Sequence, residues 1–131
     1  YFSIEKVVEV NDRMMELLGF PIHRWAGYCI SPESPQGTAR YRKPSPRFVS
    51  EALAAFGIPR RNALMIGDTE VDYYTARNAG ISFVGVESEK NELRALQLQF
   101  RELTVLPDCS KLANAIGERA STVIDDQTKI S

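Results

Sequence analysis

The stretch that decides the fold is ALMIGDTEVDYYTARNAG, residues 63–80. Its first four residues form a continuous apolar run, which is typical of a parallel strand that is covered on both faces. Gly67 and Asp68 end this predicted strand, a helix is predicted from Glu70 to Asn78, and Gly80 is a suitable left-handed stop for that helix. A buried strand that turns directly into a helix indicates an α/β protein with a mainly parallel sheet.

Upstream of this stretch, the chain also alternates between helices and strands. Apolar residues at helical spacing predict a helix from residue 4 to 18, with Ser3 as its N-cap and Gly19 as its stop. The short apolar run at residues 25–30 predicts a strand, and Ser45 is the predicted cap of the next helix. These elements add to the α/β pattern.

Downstream of residue 80, the alternation continues to the end of the predicted domain. The predicted elements are a strand at 81–86, a helix at 88–100, a short strand at 103–106 and a helix that ends near 116. We therefore predict one domain over residues 1–118, followed by a polar tail at 119–131 that packs poorly.

Composition excludes several classes of function. The chain has 131 residues, with 16 Lys and Arg against 17 Asp and Glu, so its charge favours no nucleic-acid partner. No apolar stretch approaches the ~18 residues of a membrane span. Cys29 and Cys109 form no CxxC pair, and a reduced, cytoplasmic setting is expected. An uncovered sheet edge would favour pairing with another chain, so a homo-oligomer stays open.

Two carboxylates follow the strand at the edge of the sheet where ligands bind in open α/β folds. Asp72 comes four residues after Asp68, and this spacing points its side chain back toward the end of the strand. Paired oxygen ligands with no His or Cys suit a hard cation such as Mg²⁺. The alternative is that Asp68 or Thr69 caps the helix and Asp72 favours the helix dipole.

A lysine is predicted to reach the same edge of the sheet. Lys43 lies near the end of a long proline-rich loop, SPESPQGTARYRKPSP (residues 31–46), shortly before the helix that Ser45 is predicted to cap. A lysine at this place can stabilise a transferring phosphoryl group or a carboxylate nucleophile. The alternative is a solvated loop charge.

The motifs RKPSP, GDTEVD and NAGI, each followed by the appropriate helix or strand, resemble the haloacid-dehalogenase (HAD) superfamily. Over residues 1–86 the order of motifs is most similar to its HAD-IIIA-like group, which includes histidinol-phosphatase and heptose bisphosphate phosphatase. The resemblance implies a Rossmann-like three-layer fold and Mg²⁺-dependent hydrolysis of a phosphomonoester through an aspartyl-phosphate. It also implies that the substrate is a small phosphorylated metabolite, of the sugar phosphate or histidinol-phosphate type.

The resemblance assigns roles to four residues. Lys43 resembles the family's lysine, which stabilises the nucleophile and the phosphoryl charge, and Arg42 resembles a neighbouring arginine that binds substrate phosphate. Asp68 resembles a Mg²⁺ ligand. Asp72 resembles a second acidic residue, which supports the metal or holds the lysine.

The chain departs from that group in two respects. The heptose-type enzymes carry a zinc loop with two Cys-containing pairs, whereas here only Cys29 stands in the matching region, with Ser31 and Glu33 at other positions. One thiolate cannot build a closed four-ligand zinc site, so no zinc is predicted. The nucleophile motif D-x-D-x-T is also absent from the 131 residues. From the resemblance we therefore expect the chain to be the C-terminal two-thirds of a phosphatase, with a sheet that is incomplete at its N-terminal strands.

Two functions remain open at this point. The first is a phosphatase that is inactive without its nucleophile segment, since the covalent route needs an attacking carboxylate. The second is a non-catalytic HAD-like module that binds a phosphorylated ligand or a partner chain. A phosphoacceptor receiver domain is disfavoured because Lys43 precedes Asp68 in the chain, and a P-loop kinase because G-x-x-x-x-G-K-[ST] is missing.

Overall fold

Helices and strands alternate along the chain from residue 47 to residue 106. A computed structural model describes residues 3–19, 26–31, 33, 36–37 and 40–117, and the predicted tail at 119–131 lies outside them. The chain divides into two compact units, Tyr1–Arg42 and Lys43–Ser131. The prediction of one domain over residues 1–118 stays a prediction.

The first unit contains helix α1, Ile4–Leu18, with the bounds that the sequence predicts. The Ser3 hydroxyl accepts a hydrogen bond from the Lys6 N–H, and Gly19 ends the helix at a φ of 60°, where glycine is favoured. The strand predicted at residues 25–30 is wrong for its described part, since residues 26–30 are neither strand nor helix. The described sheet offers them no hydrogen-bonded neighbour, and a strand exists only as one member of a pair.

The second unit holds the sheet. Its elements in chain order are α2 (Arg47–Phe56), a 3₁₀ turn (Arg60–Asn62), β1 (Leu64–Gly67), α3 (Glu70–Ala79), β2 (Ser82–Val86), α4 (Glu92–Gln97), β3 (Val105–Leu106) and a second 3₁₀ turn (Cys109–Lys111). Residues 112–117 continue as helix. The alternation confirms the predicted α/β fold.

The described sheet has three parallel strands in the order β1-β2-β3. Leu64 lies opposite Ser82 and Gly67 lies opposite Gly85, while Gly85 in turn lies opposite Val105. All three strands therefore finish at one edge. The loops that follow β1 and β2 meet there, because the Ser88 hydroxyl donates to the Asp68 carbonyl at 3.4 Å.

The core of this unit lies between α3, α4 and the sheet. Helix α3 packs on β1 and β2 and also contacts α2 and α4. The buried cluster consists of Tyr73, Ala76, Phe83, Leu93, Leu96, Leu103 and Val105. The Tyr73 ring makes an edge contact with the Phe83 ring at a centroid distance of 5.7 Å. This packing fixes α3, which carries Asp72 of the candidate site, against the strand that precedes it.

Helix α4 is shorter than the predicted 88–100. It begins at Glu92 because Asn91 has a φ of 53°, a left-handed conformation that interrupts the helix. The preceding residues form a turn, in which the Asn91 N–H donates to the Ser88 carbonyl at 3.1 Å. At the end of the helix, the Gln97 side chain donates to the Leu103 carbonyl at 2.8 Å. This hydrogen bond holds the loop that leads from α4 to β3.

Across the described residues, we find no helix with the combined length and apolar character that a membrane span requires.

Candidate functional site

Helix α3 starts with a reciprocal cap directly after β1. The Thr69 hydroxyl accepts from the Asp72 N–H, and the Asp72 carboxylate accepts from the Thr69 N–H, which is a capping box. The sequence T-E-V-D has the spacing that this cap needs. Of the two caps that the sequence left open, Asp68 and Thr69, the structure shows Thr69. Asp72 takes part in this cap and also has a second role.

Both oxygens of the Asp72 carboxylate are engaged by protein donors. Oδ2 accepts from the Thr69 hydroxyl at 2.7 Å, from the Thr69 N–H at 3.1 Å and from the Asp68 N–H at 3.3 Å. Oδ1 accepts from Lys43 Nζ at 2.5 Å. Asp72 itself is buried, with 3% of its surface exposed. One carboxylate thus organises the start of α3 and holds an ammonium.

The environment of Asp72 keeps it ionised. Burial raises the pKa of Asp72, but hydrogen bonds from Lys43 and Thr69, together with the charge of Lys43, outweigh burial, so this pKa lies below its ordinary value. The Lys43 side chain is 53% exposed. Asp72 thus holds the Lys43 ammonium while more than half of the Lys43 side chain stays in contact with solvent.

Glycine at position 67 makes this arrangement possible. A Cβ atom on Gly67 would lie 2.4 Å from Asp72 Cβ and 2.6 Å from Asp72 Cγ. No side chain can occupy that space unless Asp72 moves. A glycine is therefore needed at position 67, because the Asp72 side chain approaches the end of the strand closely.

Asp68 differs from Asp72 in its surroundings. Its side chain is exposed, and no hydrogen bond or ion pair within the described part of the chain reaches its carboxylate. No group of three or more His, Cys, Asp or Glu side chains among residues 3–19, 26–31, 33, 36–37 and 40–117 is placed to hold a metal ion. Mg²⁺ is commonly held by one or two carboxylates, with waters and phosphate oxygens as its other ligands. Asp68 fits such an ion as one ligand.

Arg42 belongs to the first unit and is described there. Its N–H donates to the Glu33 carboxylate at 2.6 Å, and the Tyr41 N–H donates to both oxygens of the same carboxylate at 2.7 and 2.9 Å. Desolvation raises the pKa of Glu33, but these N–H groups and the Ser31 hydroxyl outweigh it and lower the pKa. Glu33 thus closes the loop that ends at Arg42. The role of Arg42 in binding phosphate and the absence of zinc both stay predictions.

The structure also identifies two contacts that sequence reasoning missed. The Asn78 side chain donates to the Pro44 carbonyl at 3.0 Å, and Glu92 accepts from the Glu70 N–H at 3.4 Å. Asn78 stands in the NAG motif, which is the only signal for it in the sequence. Glu92 has no comparable signal, because its partner is 22 residues away on another helix.

Comparisons with known proteins give one family and two relatives. The model of the HAD-hydrolase-like family matches residues 40–112, which is more than half of the chain. A phosphoglycolate phosphatase of Mesorhizobium japonicum is 42% identical over 52 residues, which cover 40% of this chain and 23% of that protein. A phosphoglycolate phosphatase of Rhodobacter capsulatus is 42% identical over 71 residues, which cover 50% of this chain and 31% of that protein.

The matched stretch thus spans between about a quarter and a third of the length of these relatives. Neither relative carries the name of the HAD-IIIA-like group, so that finer assignment stays a prediction. A search of solved structures gave no significant match.

Proposed function

The chain belongs to the HAD-hydrolase-like family, and from that premise we propose that the whole protein is a Mg²⁺-dependent phosphomonoester hydrolase. The observation that carries this proposal is the 2.5 Å contact between Lys43 Nζ and the buried Asp72, beside the exposed Asp68 at the end of β1. At the carboxyl edge of a parallel sheet, a fixed ammonium can bind a phosphate ester directly, and a nearby carboxylate can hold the Mg²⁺ that would bind it as well.

We assign a separate role to each of the three residues. Lys43 stabilises the charge of the phosphoryl group as the ester is cleaved. Asp72 holds Lys43 in place, since both of its oxygens already accept hydrogen bonds from the protein. Asp68 is the carboxylate that would hold Mg²⁺. The ion, when bound, supplies positive charge that offsets the phosphate oxygens.

Arg42 is the proposed contact to the phosphate of the substrate, as the resemblance implies. Its main chain is fixed by Glu33 through the 2.6 Å hydrogen bond in the first unit. An arginine whose main chain is held in this way loses less freedom when its side chain binds an anion. Arg42 directly precedes Lys43 in the sequence.

The proposed substrate is a small phosphorylated metabolite. The name of the two relatives makes 2-phosphoglycolate the first compound to test, and sugar phosphates and histidinol-phosphate follow from the resemblance to the HAD-IIIA-like group. We further propose that the 131-residue chain alone hydrolyses none of them, because it contains no D-x-D-x-T motif and hence lacks the expected nucleophile.

The test is a phosphate-release assay on the whole protein after removal of metal with EDTA. We expect turnover on at least one member of the panel when Mg²⁺ is restored, and none without it. Asp68→Asn should lower kcat by about 100-fold or more, because it removes the proposed metal carboxylate. The matched control is Asp108→Asn, which changes an acid that also follows a parallel strand, and it should retain wild-type activity.

Three outcomes would contradict the proposal. Hydrolysis that is indifferent to EDTA and Mg²⁺ would remove the metal assignment. An Asp68→Asn variant with near-normal kcat would show that this carboxylate does not hold the ion. Binding of the panel compounds without hydrolysis would favour the non-catalytic module instead.

A further inference from the structure

The NAG motif contains one side chain whose role is still unassigned. Gly80 ends α3 at a φ of 68°, and Ala79 is buried with 1% of its surface exposed. Asn78 is exposed, yet its amide donates to the Pro44 carbonyl at 3.0 Å. Pro44 directly follows Lys43, so a side chain near the end of α3 holds the main chain beside the ammonium.

Helix α3 therefore makes two contacts with the segment Lys43–Pro44. Asp72, in the first turn, binds the head group of Lys43, and Asn78, near the last turn, binds the main chain of the next residue. Asn78 lies six positions after Asp72, so the two side chains are about 9 Å apart along the helix axis. The two contacts fix the head group of Lys43 and the adjacent main chain from the same rigid element.

Two of the three residues that follow Lys43 cannot donate a main-chain hydrogen bond. Pro44 and Pro46 have no N–H group to donate. The Lys43 side chain is 53% exposed, and a lysine has four rotatable torsions, so its ammonium moves when its main chain moves. A displacement of about 1 Å at a catalytic group can cost about 100-fold in rate.

We propose that Asn78 is a positioning residue for Lys43, which acts through the Pro44 carbonyl; the catalytic part of this proposal rests on the proposed function. Asn78 does not itself contact the ammonium. Its contribution is to the rate of the chemical step, because it limits the positions that Lys43 can take at the moment when charge develops. Substrate affinity should depend on it little.

The kinetic test compares three variants of the whole protein. Asn78→Ala removes the donor, Asn78→Asp replaces it with an acceptor of the same size, and Asn114→Asp is the matched control on an exposed amide elsewhere. Both changes at position 78 should lower kcat by about tenfold while KM stays within about twofold of wild type. The control should keep wild-type kcat. Thermal unfolding of each variant shows whether the loss exceeds what a change in the folded fraction explains.

A second measurement does not depend on turnover. NMR of ¹⁵N-labelled lysine ammonium groups, with the Lys43 signal identified by its absence in Lys43→Arg, reports proton exchange with water at Nζ. We expect faster exchange in Asn78→Ala than in wild type, since a looser main chain lets the ammonium leave Asp72 more often. Asn114→Asp should not change the exchange rate.

The two measurements separate failure of this proposal from failure of the proposed function. Wild-type protein that hydrolyses no panel compound would overturn the proposed function, and the NMR comparison alone would then decide whether Asn78 holds Lys43. An active enzyme whose kcat and Nζ exchange are both unchanged in Asn78→Ala would overturn the positioning role. A loss of kcat that only follows lower thermal stability would overturn it as well.

Discussion

At the scale of single residues, Asp72 uses its two oxygens for different purposes. Oδ2 completes the cap of α3, and Oδ1 holds Lys43. The motif spacing predicted that Lys43, Asp68 and Asp72 converge, and in the structure Lys43 Nζ and the Asp68 N–H both contact Asp72. The spacing could not show which donor each oxygen takes, because that depends on the turn at Thr69. The role of Asn78 was also unpredictable, since no short-range pattern links it to Pro44.

The pKa of Asp72 leads to a prediction about stability and pH. Its folded-state pKa lies below the unfolded value of about 3.9, so its contribution to stability is present above that pH and is lost as pH falls through the folded-state pKa. Asp72→Asn should therefore cost about 1–3 kcal/mol of unfolding free energy near neutral pH. Urea unfolding at a series of pH values should show the difference between the two proteins shrinking below about pH 4. A difference that is independent of pH would contradict the ionic contribution.

Gly67 leads to a second prediction at this scale. In Gly67→Ala the new methyl group would stand 2.4 Å from Asp72 Cβ, so Asp72 has to move and Lys43 loses its anchor. We expect a loss of about 1–3 kcal/mol in stability, together with a lower kcat. The control is Gly117→Ala, where nothing lies within 4 Å of the added atom. Wild-type stability and activity in Gly67→Ala would show that the site tolerates a shift of Asp72.

At the scale of elements, the boundaries show where local signals suffice. Helices α1 and α3 were predicted to within one residue, because each carries its own cap and a glycine stop. Helix α4 was predicted too long, because the charged, Leu-rich sequence of residues 88–100 gives no sign that Asn91 takes a left-handed conformation and delays the start of the helix. Residues 26–30 were predicted as a strand from apolar content alone, and that content does not supply a pairing partner.

Helix α4 offers a matched pair of leucines for a test of the core. Leu93 is 1% exposed within the buried cluster, whereas Leu98, at the end of the same helix, is 86% exposed. Leu93→Ala should cost about 2–5 kcal/mol in a chemical denaturation experiment, because it leaves a cavity against the sheet. Leu98→Ala should change stability by no more than about 0.5 kcal/mol. Equal effects of the two changes would mean that α4 does not pack as described.

At the scale of the whole molecule, the order of strands and helices was predictable, and the assembly of the sheet was predictable only in part. Parallel pairing of β1 with β2 follows from a strand, a helix and a second strand in succession. The length of β3 could not be predicted, because its two residues form a strand through their pairing with Gly85 and Val86 and not through a sequence pattern of their own. Family membership adds the kind of chemistry, and the identity of the substrate is a question for the whole protein.

The shared carboxylate at position 72 has a consequence for how such proteins would diverge. If a lineage gave up the proposed hydrolysis, Asp68 would be free to change because its side chain is exposed, and Lys43 could change at the cost of its ion pair with the buried Asp72. Such a lineage would still keep the acid at 72, because helix α3 begins with its help. Among descendants of this chain, an intact residue 72 would therefore be a poor marker of a working enzyme, and joint retention of 43 and 68 would be the informative one.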